Sequence, residues 1–365
     1  MSMPVDIVRI AIKMAVLGRG HFPRRQSLWS FVMHAGFLAT AIFTTALAAS
    51  GGAFALDKVT FGTNWFAEPE HGGFYQAVVD GTYEKFGLEV KILPGGPQAN
   101  NRLLLTSGKI EYYMVGNMLQ SFYTVAQKIT TNNDAAIFQK DPQIMMSHPG
   151  VGLDKFSDLV NSPAFVGKEG AVSFYQWMKA EHGFKDEMIK PYNYNSAPFI
   201  ADKKSIQQGY LTSEPLGIEK TGGFKPNIFL LADQGFTTYS TTIEARMETV
   251  EKNPDLIKRF VEASIIGWYN YMYGDNKKAN DAIKKDNPDM NDEQIAFTIG
   301  KMKEYGLVDS GDTLKLGIGA MTDARMKDFF DKMVNARVVD GAIDYKKAYT
   351  LNFVNKGVGM ELKPK

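Results

Sequence analysis

The chain has 365 residues with 44% hydrophobic and 22% charged side chains, the balance of a globular protein long enough for two domains. A formal net charge of +1 gives no electrostatic case for nucleic acid, which calls for a strongly basic face. The absence of cysteine excludes disulfides, thiolate metal sites, a cysteine nucleophile and a lipid-modified cysteine.

The first 55 residues read as a leader. Arg9, Lys13, Arg19, Arg24 and Arg25 are their only basic residues, and no charged residue lies between Leu28 and Phe54. The apolar run "FLATAIFTTALAA" is followed, after Ser50-Gly51-Gly52, by Ala53-Phe54-Ala55, a small-x-small pattern before Leu56. A basic start, an apolar middle and such an end predict a secretory signal peptide over 1–55 and an exported, periplasmic protein. An uncleaved anchor is the other reading, because the run is long enough to span a bilayer. Arg24-Arg25 suggests a twin-arginine export route, although "PRRQSLW" matches that signal poorly. Removing the leader takes five of 41 basic and one of 40 acidic residues, so the remainder is nearly neutral.

From Lys58 onward strands and helices alternate. "KVTFGTNW" reads as a strand, and "GGFYQAVVDG" and "TYEKFG" as helical pieces stopped by Gly81 and Gly87. "LEVKILPGG" is a strand, "ANNRLLLTSG" a helix, "KIEYYMVG" a strand and "NMLQSFYTVAQ" a helix. A long extended run, "DAAIFQKDPQIMMSHPG", is broken by Pro142. The alternation then restarts. "PAFVG" is a strand, "AVSFYQWMKAEHG" a helix, "IKPYNY" a strand, "APFIADKKSIQQG" a helix, "YLTSEP" a strand and "PNIFLLADQG" a last buried strand. Three helices follow: one from Asn253-Pro254 to Gly274, one from Asn291 to Gly306, and one over "DARMKDFFDKMVNARV". Repeated βαβ units predict an α/β fold with mostly parallel sheets covered by helices. Two series predict two lobes: 56–142, then 143–233, then a return over 234–365. Crossings are expected near Gln139–Met145 and Leu231–Thr237.

Ligands of open α/β sheets sit beyond the carboxyl ends of the strands. Here those ends carry Asn64-Trp65, Gly95-Gly96, Gly116-Asn117, Gly167-Lys168, Asn193-Tyr194-Asn195, Ser213-Glu214 and the stretch up to Tyr239. Aromatic faces, a few directional polar groups and exposed amides suit a small-molecule pocket. Nothing there calls for a cofactor. His71, His148 and His182 have no paired spacing, so no metal is expected, although Glu68 and Glu70 beside His71 form a conceivable carboxylate–histidine cluster. Gly72-Gly73 and Gly95-Gly96 serve either turn angles or backbone amides open to an anion. Asn117 serves as a helix cap or as a ligand contact. No Ser-His-Asp, phosphate-loop or metal spacing suggests an enzyme.

The runs "NWFAEPEHGGFYQAVVDGTYEKFGLEV", "LLTSGKIEYYMVGN", "SIQQGYLTSEP" and "NPDLIKRFVEASIIGWY" resemble the solute-binding proteins of ABC importers. The specific likeness is to the group for nitrate, sulfonates, taurine and thiamine-pyrimidine precursors, which also contains the pyrimidine synthase of thiamine biosynthesis. This resemblance implies a two-lobed periplasmic-binding-protein fold of type II with two hinge crossings. It implies a monomer that traps a small ligand by hinge closure and docks on a membrane permease. It places Trp65 against a ring-shaped ligand, His71 nearby and Glu214 opposite as acceptor. Phe74, Gly96, Asn117, Tyr175, Asn195 and Tyr239 complete the expected ligand set. A pyrimidine-like nitrogen heterocycle is the leading ligand. A sulfonate, taurine or nitrate is the alternative, with Arg102 and Lys168 as the cations to test. The enzyme of the group carries Cys-Cys-Cys-Phe-Cys where this chain has "GFTTYSTT" over Gly235–Thr242; this departure favours a binder, with a thiamine-pyrimidine synthase-like enzyme as the lesser alternative.

Overall fold

Alternation in "DKVTFG" buries Val59 and Phe61 and exposes Asp57 and Lys58, which makes the first strand. The computed structural model describes residues 55–96 and 99–364, so the leader and the export reading lie outside the described residues. Strands β1 (Asp57–Gly62), β2 (Leu88–Leu93), β3 (Tyr112–Asn117), β4 (Thr131–Phe138) and β10 (Ser240–Arg246) form one sheet in the order β2-β1-β3-β10-β4. A second sheet, in the order β7-β6-β8-β5-β9, contains β5 (Gln143–Ser147), β6 (Ala164–Val166), β7 (Ile189–Pro191), β8 (Ile206–Tyr210) and β9 (Asn227–Leu230). The chain passes between the sheets twice, over residues 139–142 and again over 231–239. No helix among the described residues is long and apolar enough to cross a membrane.

The sheets are mixed. β1 pairs in parallel with β2 and β3, but β10 runs antiparallel to both β3 and β4. Likewise β6 is parallel to β7 and β8, whereas β5 is antiparallel to β8 and β9. The sequence pattern missed β10 because five of the seven residues of "STTIEAR" are polar. Its hydroxyls are nonetheless buried and bonded: Thr242 Oγ1 donates to Asn133 Oδ1 at 2.6 Å, and Ser240 Oγ donates to the Gly116 carbonyl at 2.5 Å. A second correction concerns residues 197–215. The helix there is short (Ala197–Ala201), "IQQGY" is strand β8, and Glu214 begins a helix rather than following a strand.

Glycine and asparagine punctuation does much of the local work. Gly81 and Gly87 stand at φ +72° and +74°, which glycine adopts without Cβ strain. Asn117, Asn253 and Asn291 each accept an amide hydrogen bond at a helix start, from Leu119, Leu256 and Gln294. Gly72 and Gly73 have a different purpose from either expected one. They lie inside the Gly72–Val79 helix, and a Cβ on them would fall 2.1 Å and 2.2 Å from the rings of Tyr271 and Trp268. They let the long Pro254–Tyr273 helix close against this first helix, where Gly267 in turn faces the Gly73 carbonyl. β4, at the sheet edge, is buried along its whole length. Bridges from Gly319 and Tyr349 cover that edge, which removes a site for unwanted strand pairing.

Candidate functional site

Strand direction brings the two sheets' ends together. The carboxyl ends of β1, β2, β3 and β4 and the start of β10 share one end of the first sheet. The ends of β6, β7, β8 and β9 and the start of β5 share one end of the second. Both crossings join these ends, so the residues beyond them line one gap.

On the first side, Asn101 Nδ2 donates to the Thr63 and Leu93 carbonyls at 2.9 and 3.1 Å, tying the ends of β1 and β2. Gly95 lies so close to the Thr63–Asn64 backbone that a Cβ would sit 2.4 Å from the Thr63 carbonyl oxygen. Gly96, at φ +147°, packs beneath the Phe66 ring. These two glycines brace the segment that presents half-buried Trp65 and the 48%-exposed Phe66 at the mouth. Gly96 thus supports the aromatic segment through its backbone. From the second side, Tyr194 brings its ring to 5.8 Å from the Trp65 ring, tilted by 38°. Tyr194 is 69% exposed and stands at φ +59°, an uncommon angle for a residue with a Cβ. Its ring also lies 5.5 Å from Tyr192, whose hydroxyl donates to Glu214 Oε1 at 3.2 Å. Trp65 and Glu214 therefore belong to one aromatic–carboxylate chain across the gap.

Beneath the aromatics carboxylates converge. Burial pushes Glu68 well above the usual carboxylate range, and repulsion from Glu70 and Glu214 adds to it. Glu70, 4% exposed, is pushed up to about 7 by burial, with Glu214 adding and the hydroxyl of Thr212 opposing. Glu214 is raised by burial against hydrogen bonds from the Tyr210 amide, at 2.7 Å, and the Tyr192 hydroxyl. Asp141 is pushed up to about 6 by burial, with the Gln143 amide, Ser240 and Asn117 drawing it back. Tyr210 is raised by burial and then by Asp141 and Glu68, which places its hydroxyl among these acids. His71 is buried, held down to about 3 by burial, and so is neutral. Its Nε2 stands 3.5 Å from Glu68 Oε1, and neither ring nitrogen has a hydrogen-bond partner among the described residues. Asn64 Oδ1 is a further buried acceptor without a partner among them.

The lysines near this place lie at its edge: Lys168 is exposed just after β6, and Lys140, in a crossing, pairs with Asp233 at 2.8 Å. Among the described residues, no Lys or Arg forms an ion pair with Glu68, Glu70, Glu214 or Asp141. Arg102 is spent on Glu244, gripping both carboxylate oxygens at 2.7 and 3.0 Å. No group of three or more His, Asp or Glu among the described residues has metal-holding geometry.

Of the expected site residues, Trp65, His71, Gly96, Asn117 and Glu214 lie around the gap. Asn117 Oδ1 is used as a helix cap, accepting from Leu119 at 3.1 Å, and its side chain also reaches Asp141. Three of the others are enclosed in packing, and the fourth, Asn195, stands exposed beyond the end of β7. Phe74 is fully buried between Phe61 and Trp268, because the Gly72–Val79 helix turns that face to the core. Tyr175 is also fully buried, its ring on Phe184 and its hydroxyl on the Lys185 carbonyl at 2.9 Å. Tyr239 donates to Asp312 at 2.7 Å beneath the Arg325 guanidinium, within a crossing. Asn195 closes a local turn on the Ala197 amide and faces solvent. Asn64, Glu68, Glu70, Asp141, Tyr192, Tyr194 and Tyr210 are residues of this place that sequence reasoning left out of the ligand set. The alternation in "PYNYN" was the available signal for the two tyrosines. A separate hollow of about 260 Å³, lined by Asn132, Met247, Lys346 and Tyr349, lies at the amino end of β4, the far end of the first sheet.

Comparison with known proteins follows the same lines. The family described as NMT1/THI5 like matches residues 68–279, more than half of the chain. The 4-amino-5-hydroxymethyl-2-methylpyrimidine phosphate synthase of Schizosaccharomyces pombe is 26% identical over 117 residues, 32% of this chain. The match spans about a third of that curated relative, 34% of its length. The periplasmic aliphatic sulphonate binding protein of Escherichia coli superposes with a TM-score of 0.57 at 12% identity, over 80% of this chain and 91% of its own. The periplasmic nitrate-binding protein of Synechocystis gives 0.52 at 13% identity, over 80% and 86%. At these identities the likeness is one of fold, the periplasmic-binding-protein fold.

Proposed function

The chain belongs to the NMT1/THI5-like family, and we propose that it is an extracytoplasmic solute-binding protein that captures a flat, donor-rich or cationic nitrogen heterocycle between its two sheets. The observation that carries this reading is the convergence of Glu68, Glu70 and Glu214 without a cation, beneath the facing rings of Trp65 and Tyr194. A sulfonate or nitrate would hold these raised carboxyls in their protonated form and would be repelled by any of them that ionises. Two like charges about 4 Å apart repel by roughly 4 kcal/mol at an intermediate effective dielectric. A ring bearing amino groups or a positive charge reverses that sign. It also offers donors to Asn64 Oδ1, the carboxylates and the neutral His71. Ring stacking adds about 1 kcal/mol beyond area burial. An aminopyrimidine, the chemistry in the name of the Schizosaccharomyces relative, meets these demands.

Capture proceeds by hinge closure. Trp65 and the first carboxylates are presented by one sheet, Tyr194 and Glu214 by the other, and both sets engage ligand only when the sheets approach. The protein then hands its ligand, as a monomer, to a membrane permease. We read it as a binder and not a synthase; its lack of any cysteine supports this choice over the enzyme of the family. Calorimetry with 4-amino-5-hydroxymethyl-2-methylpyrimidine, taurine and nitrate tests the assignment. Saturable micromolar or tighter binding is expected for the pyrimidine alone. Tight binding of taurine or nitrate with none of the heterocycle would overturn it, and turnover of the bound pyrimidine would replace the binder by an enzyme.

A further inference from the structure

One residue of the second sheet is held from three directions by the first-sheet side. Thr212, fully buried in the turn after β8, donates its hydroxyl hydrogen to Glu70 Oε1. Its carbonyl oxygen accepts from Gln294 Nε2 and from Thr298 Oγ1, both at 2.8 Å. Gln294 and Thr298 lie on the Asp292–Glu304 helix. That helix packs on the short Pro69–His71 turn that carries Glu70. It is tied to the first-sheet side before its start and to the crossing that leaves β4 after its end. Before it, Asn287 Nδ2 donates to the Ala67 carbonyl at 2.9 Å; after it, the Leu307 carbonyl accepts the Gln139 amide at 2.6 Å. An exposed pair, Lys220 to Glu293 at 2.6 Å, spans the same boundary.

Three hydrogen bonds on one buried residue leave both lone pairs of its carbonyl and its one hydroxyl proton committed. None of the three persists if the sheets separate, and the buried Glu70 then loses a donor. We infer that the Asp292–Glu304 helix is a clasp between the sheets, in which Gln294 and Thr298 are positioning residues that hold the Thr212 turn on Glu70 and so place Glu214 two residues further on. The inference rests on the two-sheet cleft for its bearing on binding. Its test uses ligand-free protein, so failure of the ligand assignment leaves it standing.

The experiment compares Thr298→Val combined with Gln294→Ala against Thr298→Ser, in the full chain. Amide hydrogen exchange is followed by mass spectrometry over residues 210–216 and over the Pro254–Tyr273 helix. Removing both donors is expected to speed exchange in the turn at least tenfold, with no change in the long helix, and to increase the radius of gyration in solution scattering. Thr298→Ser, which keeps the hydroxyl, is expected to match the wild type. Unchanged exchange in the turn would overturn the clasp, as would equal acceleration in the long helix, which marks general loosening. Thr298→Val alone serves as the milder variant if the double change fails to fold.

Discussion

Replacing Glu70 by Gln tests the charge strain of the site without any ligand. A carboxyl raised from 4.5 to about 7 in the folded protein prefers to be protonated there. Its contribution to stability is fully present below pH 4.5 and is lost as pH rises through 7. The loss is about 3 kcal/mol once the group is ionised. Glutamine keeps an acceptor for the Thr212 hydroxyl and carries no charge, so it escapes this loss. Its amide hydrogens must find new partners, which leaves a net gain of roughly 1–3 kcal/mol at pH 8.5. That corresponds to a rise of about 2–8 °C in Tm, and to little or none at pH 4.5, where Glu70 is already neutral. His71 has the opposite sign: with its pKa lowered to about 3, its effect on stability grows as pH rises from 3 to 6.5. It is common to both proteins and cancels in the difference. Differential scanning calorimetry of the ligand-free proteins at the two pH values reads the effect directly. A Tm lowered equally at both would refute the reasoning, because Glu70 would then be a plain structural acceptor.

Trp65→Ala is expected to weaken ligand binding at least tenfold by titration calorimetry while the circular dichroism spectrum stays the same; an unchanged affinity would remove Trp65 from the site. At pH 6, binding of a cationic ring should release up to about one proton, since it favours the ionised form of Glu70, and proton uptake measured in buffers of different ionisation enthalpy would point to an anion instead. Arg102→Ala leaves the fully buried Glu244 with an uncompensated charge, so urea unfolding should show a loss of about 3–5 kcal/mol. A change below about 1 kcal/mol there would mean that Glu244 is neutralised by other means.

Local grammar was legible in the sequence by itself. The period of apolar residues, the capping asparagines 117, 253 and 291, and the glycines at 81 and 87 act within a few residues of chain, so their consequences are written locally. Trp65 and Glu214 could be proposed for the same reason: they stand at the ends or beginnings of elements and the likeness to a family named their place. The antiparallel course of β10 could not be read, since Ser240 and Thr242 become inward strand residues only when Gly116 and Asn133 arrive from 124 and 109 positions away. Phe74 and Tyr175 looked available because a helix pattern tells which residues share a face, not what that face meets; Trp268 and Phe184 decided it. The acidity of Glu70 is the plainest case. In sequence it is one carboxylate beside a histidine, and only burial under Thr212, with Glu68 and Glu214 brought close, gives it an altered affinity for a proton. Desolvation is a property of the surroundings, and the surroundings exist only in the folded chain.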